Sequence, residues 1–212
     1  VVTTVTADVA PLLAYLDWAG VAVFALSGAL VAAARRQTLV TFIFFAVITG
    51  IGGGTARDLL IGAPVFWIGE NVTLLICVTG ALIVWVAPAR MWRGRALLWL
   101  DAVGLAAYAT YGAAKGLAFG VAPLPAIAMG VLTACFGGIV RDVLAGQPSI
   151  LMRAELYVTA AALSAASMVA LLLLGAPQVF AGAVAALAGF ALRAGAIWRG
   201  WSLPGYDRLD QP

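Results

Sequence analysis

Apolar residues do not alternate with polar ones along this chain, nor do they keep to one helical face. They come in runs, apolar all round, separated by short connections. Seven runs stand out, at about 11–34, 38–61, 66–88, 96–118, 122–145, 151–174 and 177–199. A helix needs roughly 20 mostly apolar residues to cross the hydrocarbon core, so each run is a candidate span. The connections read "RRQT", "GAP", "APARMWRGR", "FGVAPLP", "GQPS" and "GAPQ", all rich in turn residues. A membrane barrel would need alternating apolar and polar positions. The pattern therefore predicts an all-α integral membrane protein with seven transmembrane helices.

The runs are not independent. When the sequence is shifted against itself by 84 residues, Asp17 falls on Asp101, Gly20 on Gly104 and Gly28 on Gly112. Thr49 falls on Thr133, Gly53 and Gly54 on Gly137 and Gly138, and Arg57 and Asp58 on Arg141 and Asp142. Without a gap, 17 of the 48 positions from 17 to 64 match their partners. Shared greasiness would align Ala and Leu; it would not align Asp, Arg-Asp, Gly and Pro in one register. Each unit holds three spans. An odd number sends the second copy in from the opposite side, which predicts an inverted repeat about an axis in the membrane plane. The expected organisation is one membrane domain: repeat one at about 11–88, repeat two at about 96–174, a seventh helix at about 177–199 and a short C-terminal tail.

The repeated motif places glycines inside spans 2 and 5 and follows them with Arg-Asp. Gly52, Gly53 and Gly54 in one copy, and Gly137 and Gly138 in the other, free the backbone and remove side chains. We expect a break there beside a polar cavity, because backbone groups released by a bend must be satisfied inside the protein. Close helix packing is the alternative, and the two are compatible. Charges at mid-bilayer cost about 2.5–3.5 kcal/mol each on insertion scales. Arg57, Asp58, Arg141 and Asp142 are expected beside the cavity, or else as anchors at the membrane surface. Asp17 and Asp101 lie several residues into their spans, too deep to reach water easily, and are expected to face the interior. Lys115, near the end of span 4, reads first as a lysine reaching for the interface and second as a gating charge. Ser27, Thr49, Tyr108, Tyr111 and Thr133 are expected to add polar contacts along the same path. Glu155 reads as an acid favouring a helix N-terminus.

Composition agrees with the membrane reading: 64% of residues are hydrophobic and 10% charged, against about 25% charged in soluble domains. Ten Arg fall on one side of the predicted topology: Arg35, Arg36, Arg90, Arg93, Arg95, Arg141, Arg153, Arg193, Arg199 and Arg208. The other side has only Arg57 and Lys115. Lys and Arg mark the cytoplasmic side, so the N-terminus is expected outside and the C-terminus inside, in a multi-pass membrane protein. Trp residues near the predicted ends form an aromatic belt. The start lacks a basic region of the signal-peptide kind and an initiator Met, so a processed or trimmed N-terminus is expected.

The chain has no His and no paired nucleophile and base, which argues against an enzyme. Cys77 and Cys135 lack metal-ligand spacing and are expected to pack. No cofactor and no metal, beyond passing monovalent cations, is expected, and topology accounts for the Arg excess without nucleic acid. Within the spans, six acids (Asp17, Asp58, Glu70, Asp101, Asp142 and Glu155) face three bases (Arg57, Lys115 and Arg141). A cavity lined by them would favour cations.

At "DWAGVAVFALSGAL" (17–30), "GGGTARDLLIGAPVFW" (52–67), "DAVGLAAYATYGAAKG" (101–116), "GGIVRDVLAGQP" (137–148) and "RAELYVTAA" (153–161), the sequence resembles the prokaryotic branch of the trimeric intracellular cation channel family. The resemblance covers nearly all of the apolar region. It implies seven helices, an inverted three-plus-three repeat and a homotrimer in lipid with a pore in each protomer. It also implies passage of monovalent cations, potassium and sodium, past kinks in spans 2 and 5. One departure is Phe136, which stands where the first copy has Gly52. The competing reading is a secondary transporter of a small solute such as glycine, since inverted repeats with broken helices also serve transport. A third is a non-conducting structural or lipid-binding protein.

Overall fold

The computed structural model describes residues 6–92, 95–152 and 155–204. Among these residues the regular structure is helical, apart from one isolated β-bridge. The helices are α1 (Thr6–Ala34), α2 (Leu39–Leu60), α3 (Val72–Val86), α4 (Ala96–Ala118), α5 (Pro123–Leu144), α6 (Val158–Leu173) and α7 (Gln178–Arg199), with short 3₁₀ turns at Ala89–Trp92 and Ile150–Met152. The ends follow from local chemistry. Thr38 caps α2 by accepting from the Thr41 amide, and Pro123 opens α5. Gly62 and Gly146, which are repeat partners, take φ of 68° and 62° just past α2 and α5, a region that favours glycine.

Five helices are long and apolar enough to cross a membrane: α1, α2, α4, α5 and α7. The third and sixth spans are shorter than their apolar runs predict. α3 has 15 residues and α6 has 16, about 22–24 Å at the standard rise. The missing turns lie in the connections. After Pro64 the chain folds back over the end of α2, where the Phe66 amide donates to Asp58 Oδ2 at 3.1 Å. Residues 146–152 and 155–157 lie in the corresponding connection before α6.

The inverted repeat is written in side-chain contacts. Phe24 and Tyr108, which are repeat partners, stack on each other with centroids 5.3 Å apart. A Cβ on Gly20 would meet the Tyr108 ring, and a Cβ on Gly104 would meet the Phe24 ring. Residues 20 and 24 of α1 thus face 108 and 104 of α4, in reversed order, so the helices run antiparallel. The same reversal brings α2 against α5: a Cβ on Gly53 would stand 2.0 Å from the Thr133 carbonyl oxygen, and one on Gly137 would stand 2.4 Å from that of Thr49. Both crossings lie on the pseudo-two-fold axis. α7 has no repeat partner and packs on α6 and α4. Large apolar side chains such as Leu59, Val86, Leu174 and Trp198 point outward, as a surface surrounded by lipid permits.

One expectation needs correction. α2 is unbroken helix through Gly52, Gly53 and Gly54, and α5 through Gly137 and Gly138. The glycines let two backbones touch; they do not interrupt either helix. Of the arginines used to orient the chain, Arg93, Arg153 and Arg208 lie outside the described residues, as does the side chain of Arg90.

Candidate functional site

The charged residues expected inside the protein form two clusters, one on each side of the α2–α5 crossing. The first is at the end away from Arg35 and Arg36. Arg57 and Asp58, near the C-terminus of α2, are both fully buried, which excludes the surface-anchor reading. Asp58 Oδ1 accepts from Arg57 Nε at 2.8 Å and lies 2.8 Å from Lys115 Nζ of α4. Its second oxygen holds the Phe66 amide. One carboxylate therefore gathers two cations and the following loop. Lys115 is paired in the interior, which corrects the expectation that it reaches for the membrane surface. Its side chain is only 15% exposed. The Tyr111 ring lies under the Arg57 guanidinium at 5.0 Å.

Asp17 lies beside this cluster and differs from it. It is 5% exposed, and its Oδ1 has no hydrogen-bond partner. The Tyr108 hydroxyl donates to its backbone carbonyl at 3.3 Å. A cavity of about 420 Å³ opens here, lined by Asp17, Trp18, Glu70, Tyr111, Lys115 and Gln178, among others. Glu70 is held at its edge by Trp18 Nε1 at 3.1 Å and by the Thr73 hydroxyl.

The second cluster is built on Arg141 of α5, near the basic end. Its Nε donates to Asp142 Oδ1 at 2.9 Å, and its Nη1 donates to Asp101 Oδ1 at 2.8 Å and to the Ser27 hydroxyl. Ser27 comes from the first repeat and Arg141 from the second. The relation has a mirror: Ser27 and Tyr111 are repeat partners, and Tyr111 meets Arg57 as Ser27 meets Arg141. The pairings are nonetheless unequal. Arg141 binds Asp101 directly, whereas Arg57 is committed to Asp58 and leaves the Asp17 carboxylate unbridged.

Between the clusters stand the expected threonines. The Thr133 hydroxyl bonds back to the Met129 carbonyl at 2.6 Å, while Thr49 Oγ1 is buried without a partner. Gly54 is covered by Phe66, and Gly52 faces Gly137 across the crossing. Gly138 lies under Tyr157, whose hydroxyl would be 3.3 Å from a Cβ there.

A family model described as glycine transporter matches two segments of the chain, residues 14–89 and 98–173. The chain is 42% identical over 156 residues to a membrane protein of Vibrio cholerae, covering 70% of this chain and 64% of that relative's length. It is 40% identical over 149 residues to the inner membrane protein YadS of Escherichia coli, covering 69% and 72%. A solved structure described as the trimeric intracellular cation channel orthologue from Rhodobacter sphaeroides superposes with a TM-score of 0.83 at 42% identity, over 90% of this chain and 99% of that one. The chain belongs to the trimeric intracellular cation channel family. A prokaryotic channel of the family solved in 0.5 M KCl gives a TM-score of 0.81 at 27% identity, over 91% of this chain and 98% of that one. Another, solved in work on conductance through the family, gives 0.80 at 29%, over 91% and 96%. The two segments matched by the family model are the two halves of the 84-residue repeat.

The sequence reading misplaces Glu155 and misses the burial of Arg193 and Tyr157. Glu155 does not sit in the first turn of α6. It precedes the helix, and its carboxylate accepts from Arg193 Nη2 of α7 at 2.7 Å. The sequence reading counts Arg193 only as a basic-side charge, yet it is 1% exposed. Tyr157, also 1% exposed, lies under the Arg193 guanidinium at 5.3 Å. An Arg interrupting the apolar run of α7 was the available signal. Cys77 and Cys135 are buried free thiols.

Proposed function

We propose that this protein is a channel for monovalent cations, assembled as a homotrimer with one conduction pathway in each protomer. The pathway follows the α2–α5 crossing, from the Asp17 cavity at one end to the Asp101–Arg141 cluster at the other. The observation that carries this reading is Asp17: a buried carboxylate with an unpartnered oxygen, opening on a cavity of about 420 Å³. Such a group attracts a cation and repels an anion, and low-dielectric surroundings strengthen both effects. The solved relatives, a trimeric intracellular cation channel orthologue and a cation channel of the same family, support the same reading.

Potassium and sodium are the ions that the family resemblance implies. The membrane is a prokaryotic inner membrane, with the basic end cytoplasmic. Lys115 and Arg141 hold the acids that a passing ion would otherwise meet, so both are gating residues in this scheme. The channel reading gives the chain no catalytic role. The transporter reading draws support from the glycine transporter description, and the cavity has both an acid, Asp17, and an ammonium, Lys115, for a zwitterion.

Planar-bilayer recording under a potassium chloride gradient decides between them. The channel reading expects unitary currents reversing towards the potassium equilibrium potential. Slow, saturable, substrate-coupled uptake without unitary currents would replace it with the transporter.

A further inference from the structure

The seventh helix has no counterpart in the repeat, yet it delivers a charge to the interior. Arg193 is 1% exposed. A buried guanidinium is costly to desolvate, and an apolar residue of similar volume would pack there at no such cost. Its contacts give the reason for its presence. Nη2 donates to Glu155 Oε2 at 2.7 Å, and the guanidinium carbon lies 5.3 Å from the centre of the Tyr157 ring. Tyr157 stands at the start of α6 with its hydroxyl buried and without a hydrogen-bond partner. That hydroxyl borders the space above Gly138: a Cβ placed there would be 3.3 Å from it, 3.7 Å from Arg141 Nη2 and 3.8 Å from Asp101 Oδ1. Asp101 Oδ2 is buried and unpartnered too.

The end of α7 is also clipped to its neighbours. Ser202 forms the isolated bridge with Glu155, the Arg95 side chain donates to the Ile197 carbonyl, and Trp201 closes over Gly195. The first repeat has a different arrangement, with Lys115 and Tyr111 of α4 bracing Arg57 and Asp58. The two ends of the path are thus held by unrelated means.

We propose that Arg193 is a positioning residue: it holds Tyr157 against the Asp101–Arg141 pair and so ties α7 to the basic end of the pathway. Its bearing on conduction rests on the channel reading above; the positioning itself does not. Movement of α7 would then reach the cluster through one ring and its hydroxyl.

The two native cysteines test the link without any current. Cys135, on α5, is 3% exposed and within electrostatic reach of Asp101 and Tyr157. Cys77, on α3, is equally buried but packs near Gly50. In purified detergent-solubilised protein, a small methanethiosulfonate reagent is followed at each thiol by mass spectrometry. Arg193→Gln and Tyr157→Phe should each raise the Cys135 rate about fivefold or more by local opening, with the Cys77 rate unchanged. Arg193→Lys, which keeps a cation over the ring, should restore most of the protection. Unchanged Cys135 rates in both variants, or equal acceleration at both cysteines, would overturn the proposal. If Arg193→Gln does not fold, Tyr157→Phe decides alone. In bilayers the same variants should shift open probability while unitary conductance is kept. Wild-type protein without current removes the channel reading and leaves the Cys135 rates to decide the link. A conducting wild type whose Cys135 ignores both variants removes the link alone.

Discussion

The carbonyl oxygen of Thr133 lies 2.0 Å from the point where a Cβ on Gly53 would stand. No side chain fits that gap, and the obstacle is backbone, which cannot swing aside. Gly53→Ala and Gly137→Ala should therefore force α2 and α5 apart. Overpacking of this kind costs about 1–3 kcal/mol or more. Gly52→Ala should be tolerated, because the nearest atom to its Cβ would be 3.6 Å away and Ala gains up to about 1 kcal/mol of helix propensity over Gly. Thermal unfolding of the purified variants checks the contrast. Equal losses at Gly52 and Gly53 would show that glycine content, not contact, is what matters.

Asp17→Asn removes the unpartnered negative charge from the cavity without changing its shape. Unitary potassium conductance should fall, and the reversal potential under a potassium chloride gradient should move towards zero. Folding should be little affected, because no ion pair is broken. Bilayer recording and a thermal shift measured on the same preparation separate the two effects; wild-type currents in Asp17→Asn would take Asp17 out of the pathway.

Asp58 and Lys115 should respond unequally. Asp58→Asn strands Arg57 and Lys115 beside one neutral amide, and breaking a buried pair costs about 3–5 kcal/mol. Lys115→Met leaves Asp58 its bond with Arg57 and should cost much less, while raising open probability by freeing acid towards the cavity. Unfolding temperatures rank the two variants, and single-channel records test the gain.

Arg141→Lys keeps the charge but not the fork. The guanidinium serves Asp101, Asp142 and Ser27 at once, whereas an ammonium on a flexible stem offers no matching planar geometry. Lower unfolding temperature and altered open probability are expected. A variant that matches wild type in both would show that charge alone holds the cluster.

Much of this protein was readable before its structure. Apolar runs located α4 to the residue, and α2, α5 and α7 to within one at each end. The shift of 84 residues singles out Asp17, Asp101 and both Arg-Asp pairs, because the copies keep them in register; depth in the span points Asp17 and Asp101 inward, while the pairs read as cavity groups or surface anchors until their burial is seen. What escaped has physical causes. α3 and α6 begin late because Asp58 captures the Phe66 amide and because the connection before α6 runs on to Tyr157; hydropathy does not register such features. The glycines read first as a break, although contact needs the missing Cβ just as much, and only the opposing carbonyls of Thr49 and Thr133 decide for contact. Arg193 reads only as a basic-side charge because one Arg in an apolar helix does not reveal which way it points.

The stacked Phe24 and Tyr108 carry a wider implication. A residue that meets its own repeat partner lies on an isologous interface, where each half is its own complement. A three-helix unit with that surface would pair with an identical unit inserted upside down. Every change on the axis would then be felt twice. Joining the halves in one chain released them from that rule. Tyr111 now differs from Ser27, and Lys115 from Val31, so the two ends of one path can be held, and opened, separately.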